Sequence, residues 1–144
     1  MYFAKRTEFI GDQRIRFSGF QSAKVPRLFK RSALRFEHKT LVHEQAVFQE
    51  KSAVLKHKFL HFGIRDIPHL YEKQNTYARL KAQELKAKEK NYSVLERWLK
   101  PLFKQYFNYL FRLGFLDGKL GWQICKSYAY GVRKRFAYLQ QRQG

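Results

Sequence analysis

The stretch Ile64–Leu85, IRDIPHLYEKQNTYARLKAQEL, is where the pattern of the chain changes. Asp66 carries a short side chain able to accept from the free amides of a helix start. Pro68 suits a first turn, where no amide donor is needed. Ile67, Leu70, Tyr71, Ala78 and Leu85 then recur at helical spacing. Upstream the rhythm is different. RIRFSGF (Arg14–Phe20), LVHEQAVF (Leu41–Phe48) and VLKHKFLHF (Val54–Phe62) are short runs rich in Val, Phe and Leu, separated by polar residues. The expected fold is α+β: a small, mostly antiparallel strand region over 1–62, then about three amphipathic helices over 63–144.

The run Lys81–Lys90 is polar and reads as the solvated end of the first helix. SVLE (Ser93–Glu96) is a capping box and starts the second. Apolar residues then crowd nearly all round: Leu95, Trp98, Leu99, Leu102, Phe103, Tyr106, Phe107, Leu110 and Phe111. Pro101 lies inside this pattern and should kink it, and Gly114 is placed to end it. Asp117 can cap a third helix, in which Leu120, Ile124, Tyr128, Val132 and Phe136 repeat every four residues.

Composition bounds the function. The chain has 144 residues, the size of one domain, with 44% apolar residues including 14 Phe, 9 Tyr and 2 Trp, enough to fill a core. Lys and Arg number 30 against 11 Asp and Glu, a net charge of +19. That excess implies an anionic partner: nucleic acid, an acidic membrane surface or a phosphorylated substrate. Cys125 is the only cysteine, so no intrachain disulfide and no Cys-based zinc site can form, which fits a reducing, cytosol-facing location. The opening MYFAKRTEFI is too mixed for the apolar core of a signal peptide, and no run of 18 uncharged residues could span a bilayer.

Several constellations carry little chemistry. His57 and His61 are four apart, but on a strand that spacing separates them by roughly 13 Å, so no metal site is expected there. GFLDGKL (Gly114–Leu120) has one residue too few between its glycines for a phosphate loop, and Leu120 stands where a Ser or Thr is needed. The three aspartates are scattered, so no paired-carboxylate metal site can be built locally. The segment 91–144 is different: it holds 13 aromatics, 10 basic residues and 2 acidic ones, with Arg133, Lys134 and Arg135 adjacent near its end. Three readings stay open for it. It forms a helical hairpin packed on the strands; it lies in the plane of a membrane surface through residues such as Trp98, Phe103 and Phe107; or it binds nucleic acid, for which no recognition pattern is present.

VPRLFKRSALRFEHKTLVHEQAVFQ (Val25–Gln49) resembles the acceptor-side segment of family 2 glycosyltransferases, in which an Arg-Leu-Phe run leads through a basic loop to Val-His-Glu. The matching residues are Arg27-Leu28-Phe29 and Val42-His43-Glu44. IRDIPHLYEKQNTYARLKAQEL resembles the family's next helix, and RLGFLDGKLGWQICKSYAYGVRKRFAY (Arg112–Tyr138) the C-terminal tail. The similarity runs from about Tyr2 to Tyr138. It is nearest to bacterial enzymes that add glucose or a related sugar to the lipopolysaccharide inner core.

The resemblance implies that Glu44 is the base taking the proton from the acceptor hydroxyl, with His43 shaping the site. It implies that Arg27 and Arg31 hold the phosphates of a lipid-linked saccharide. It also implies peripheral attachment at the cytoplasmic face of the inner membrane. Members of that family begin with a nucleotide-sugar-binding α/β half whose aspartate pair holds a divalent metal. This chain resembles only the second half of such an enzyme. No cofactor is therefore expected in this chain, activity alone is not expected, and a partner chain could supply the missing half. The alternative is a non-enzymatic basic module binding an anionic membrane or nucleic acid.

Overall fold

The computed structural model describes residues 1–21, 24–28, 35–37, 45–47, 52–88 and 92–141, with 35–37 and 45–47 described by their backbone alone. The chain is α+β. Six strands, β1 (Tyr2–Ile10), β2 (Gln13–Ile15), β3 (Lys24–Leu28), β4 (Arg35–Glu37), β5 (Gln45–Val47) and β6 (Ala53–Ile64), precede three helices, α1 (Ile67–Ala87), α2 (Val94–Tyr106) and α3 (Gly118–Gln140). A π-helical turn (Phe107–Phe111) and a 3-10 turn (Gly114–Asp117) join α2 to α3.

The sheet is organised around β1. β3 pairs antiparallel with the first half of β1 and β2 antiparallel with its last three residues, so the two share one edge of it. β6 takes the other edge along nearly the whole of β1, and this longest pairing is parallel. β4 and β5 form a separate antiparallel pair. Among the described residues three of the four pairings are therefore antiparallel, in keeping with the expected mostly antiparallel strand region.

The core joins strands to helices. Ile10, Ile15, Leu70 and Ile124 are buried together, with Phe20, Ile64, Ile67, Leu120 and Tyr128 packed around them. The start of α1 follows its sequence signals. The Asp66 carboxylate accepts from the His69 amide at 2.7 Å, and Pro68 lies in the first turn. Leu70, Ala78, Ala82 and Leu85 form its buried stripe against α3. Near its end Glu84 accepts from Lys81 at 2.8 Å and Lys88 at 2.7 Å, and these bonds hold its carboxyl down at about 2.

Two sequence expectations fail at the α2–α3 junction. Asp117 does not cap α3 with its side chain. Its carboxylate accepts instead from the amides of Arg16 (3.1 Å) and Phe17 (3.0 Å) and from the Ser18 hydroxyl (2.9 Å), tying the turn after β2 to the helices. Gly114 is not the left-handed stop. Leu113 adopts that conformation (φ 55), and Gly114 is small because a Cβ there would lie 2.9 Å from both the Asn108 carbonyl and the Cys125 sulfur. Cys125 itself is fully buried, which pushes its thiol up to about 11.

Candidate membrane-docking face

α2 begins on its capping box. Ser93 Oγ accepts from the Glu96 amide at 3.2 Å, and Glu96 accepts from the Ser93 amide at 2.9 Å. Glu96 also accepts from Lys100 at 2.5 Å. Pro101 is accommodated inside the helix and is the one buried residue of α2. After Tyr106 the winding loosens: the Arg112 amide bonds the Phe107 carbonyl five residues back, at 3.1 Å.

The orientation of α2 is the reverse of a soluble amphipathic helix. At about 100° per residue, Val94, Leu95, Trp98, Leu99, Leu102, Phe103 and Tyr106 fall within one half of the circumference. All of them are exposed. Arg97, Lys100 and Pro101 fall on the other half and are half-buried or buried. α2 packs on α3 through the side that carries Arg97 and Pro101, although Lys104 on that side is exposed, and turns most of its apolar side to solvent. Trp98 is 73% exposed and Phe103 67%. The face continues through the π turn. Phe103, Phe107 and Phe111 stack in a ladder with ring centroids 5.5 Å apart at each step, ending at Phe111, which is 77% exposed. Beyond the helix Leu110, Leu113, Phe115 and Leu116 are exposed as well. Large contiguous apolar surface of this kind is a common mark of interaction sites.

Cations flank it. Arg97 and Arg133 line the groove between α2 and α3 beside Trp98, a space of about 530 Å³. The neighbours of Arg133 point elsewhere: Lys134 Nζ lies 5.6 Å from the Tyr130 ring centre, and the Arg135 guanidinium 5.3 Å from that of Phe136. The structure thus brings Arg133 to the aromatic face and turns Lys134 and Arg135 away. Among the sequence candidates, Trp98 and Phe103 are fully presented and Phe107 is half-buried in the ladder. Phe111 joins the same ladder, and Leu110, Phe115 and Leu116 beyond it are exposed. The i, i+4 recurrence of Phe103, Phe107 and Phe111 was the available signal for Phe111.

On the acceptor side, Arg27 is exposed on β3, with its guanidinium 4.6 Å above the Phe59 ring of β6. Arg31, His43 and Glu44 lie outside the described residues. His57 and His61 both fall on β6. His61 Nδ1 is 2.7 Å from the Glu8 carboxylate, which also contacts Arg6. Among the described residues no group of three metal-ligating side chains converges, and no helix is long and apolar enough to cross a membrane. No family model, curated protein or solved structure matches the chain.

Proposed function

We propose that the chain docks on an anionic membrane surface through the outward face of α2 and the π turn, as the acceptor-side and tail part of a family 2 glycosyltransferase of lipopolysaccharide core assembly. The observation that carries the docking is the inverted amphipathicity of α2. A helix that half-buries Arg97 and Lys100 and leaves Trp98 and Phe103 in water has an apolar phase as its natural complement. The net charge of +19 and the flanking Arg97 and Arg133 select an anionic surface among apolar phases. The glycosyltransferase part of the reading is supported by the sequence resemblance alone.

In that reading the acceptor is a lipid-anchored, phosphate-bearing saccharide at the cytoplasmic face of the inner membrane. Docking confines the enzyme to the plane of its acceptor, with Arg27 and Arg31 on the acceptor phosphates and Glu44 as base. A nucleotide-sugar-binding half supplies the donor and its metal. Among the described residues the outer edge of β6 has no partner strand, a place where such a half can add a strand.

The chain is expected to sediment with vesicles of anionic lipid and not with zwitterionic ones, and moderate salt should release only part of it, because apolar insertion is not screened. Release by salt from vesicles and nucleic acid alike, with a steep dependence, would instead favour a basic nucleic-acid-binding module. Once a donor-binding half is supplied in trans or by fusion, Glu44→Gln is expected to lower sugar transfer by about a hundredfold with an unchanged circular dichroism spectrum. Transfer within a few-fold of the parent would remove Glu44 from the chemistry.

A further inference from the structure

α3 packs against both α1 and α2, leaving a groove of about 510 Å³ above it with α1 on one wall and α2 on the other. Its floor is shallow in side chain because Gly131 sits there. A Cβ at that position would lie 2.8 Å from Gln74 Oε1. Three cations line the groove, one from each helix: Lys81, Lys104 and Arg135. Among the described residues no carboxylate lines it. Lys81 is already bonded to Glu84, outside the groove. Lys104 and Arg135 have no such neutralising group among the described residues. The Arg135 Nε is buried and has no hydrogen-bond partner among the described residues. Lys104 is exposed, with its Nζ 5.7 Å from the Tyr128 ring centre. Desolvation there, with Arg112 and Arg135 nearby, pushes its pKa down. Desolvation lowers Arg135 as well.

We propose that this groove is a binding site for a phosphoryl group, held between Lys104 and Arg135 with Lys81 at its rim. The half-buried Arg135, whose Nε–H has no partner among the described residues, and the Lys104 ammonium lining the same groove form a charge-assisted cradle whose mutual repulsion an entering dianion relieves. The Tyr128 and Tyr77 rings in the same groove offer faces for an uncharged part of the ligand. The site is separate from the exposed face of α2, and soluble ligands suffice to test it, so it stands or falls apart from membrane docking.

The test is thermal unfolding of the full chain at constant ionic strength, titrated with inorganic phosphate and, separately, with dihexanoyl phosphatidate below its micelle concentration. Phosphate is expected to raise the melting temperature over chloride. Lys104→Met is expected to melt no lower than the parent without ligand, because a repelling charge is gone, and to bind phosphate about tenfold or more weakly. Lys119→Met, exposed and outside the groove, should leave the response unchanged. Tighter binding of phosphatidate than phosphate would identify a lipid headgroup as the ligand, and equal binding a free phosphate, both supporting the site. No stabilisation by either, or equal losses in Lys104→Met and Lys119→Met, would overturn it. In the unmodified chain, amide shifts at Lys104, Gly131 and Arg135 on phosphate titration support the site independently, whereas shifts spread over surface lysines reduce it to nonspecific charge.

Discussion

Replacing Trp98, Phe103 and Phe111 together by Ala is expected to lower the partitioning of the chain onto anionic vesicles by roughly a hundredfold or more, with little loss of fold stability. Burying one large apolar side chain is worth about 1.5–3 kcal/mol. A residue seated at the headgroup boundary realises part of that, so three supply roughly 3–5 kcal/mol, and each 1.4 kcal/mol is about tenfold in affinity. The fold should survive because the three side chains stand largely in solvent, and the contacts at stake are the 5.5 Å ring stacks of the Phe103–Phe107–Phe111 ladder and the edge that Trp98 turns to the α2–α3 groove. Stacks of this kind add about 0.5–1.5 kcal/mol each. The matched variant, Arg133, Lys134 and Arg135 to Ala, should weaken partitioning less. A cation near an anionic surface contributes about 1 kcal/mol, and only Arg133 lines the groove beside Trp98. Vesicle sedimentation with circular dichroism of both variants checks this. Partitioning that follows the cations and ignores the aromatics would refute the docking face.

The second large effect is on stability. Gly121→Ala is expected to lower the melting temperature by roughly 10 °C, read by thermal unfolding. A Cβ at Gly121 would lie 1.9 Å from the Gly114 carbonyl oxygen and 2.9 Å from the Asp117 Cβ. Both are fixed: one is backbone, and the other carries the carboxylate that holds Arg16, Phe17 and Ser18. The start of α3 must therefore move away from the 3-10 turn, straining that three-bond tie. Overpacking costs about 1–3 kcal/mol and a bond to a charged group about 1.5–3 kcal/mol. For a chain of this size each kcal/mol is about 2–4 °C. Gly118→Ala provides the contrast. Nothing lies within 4 Å of its Cβ position, and only its left-handed φ of 60 resists the change, so about 1–2 kcal/mol is expected. Equal melting temperatures for Gly121→Ala and the parent would show that the junction yields without cost.

How much of the fold was legible in the sequence depended on how far each signal reaches. The start of α1 was legible because Asp66, Pro68 and the Leu70 stripe are all within a few turns of one another. The capping box of α2 was legible for the same reason. The roles of Gly114 and Asp117 were not, because their partners are distant: Asp117 bonds residues about 100 positions away. A local reading sees only a helix stop and a helix cap. β1 was hidden within a general strand-like character, since YFAKRTEFI mixes charges with apolar residues and its long parallel partner, β6, lies some fifty residues downstream. The aromatic run of α2 was plain, but its direction was not. Apolar spacing is the same whether a helix turns that side to a core or to solvent, and only the observed burial of Pro101 beside the exposed Trp98 and Phe103 distinguishes them. The groove between the helices was invisible, because Lys81, Lys104 and Arg135 belong to three separate helices.

Trp98 gives the most direct test of where α2 faces. Of the two tryptophans, Trp122 packs against Tyr109 with ring centres 5.0 Å apart, so Trp122→Phe leaves Trp98 as the sole indole at modest cost. Its emission is measured as anionic vesicles with brominated acyl chains are added. The docking account predicts a blue shift and strong quenching by bromines near the headgroups. An emission maximum that stays at its water value, without quenching, while the chain sediments with the vesicles would show that the protein is held by charge alone and that the outward face of α2 serves something else.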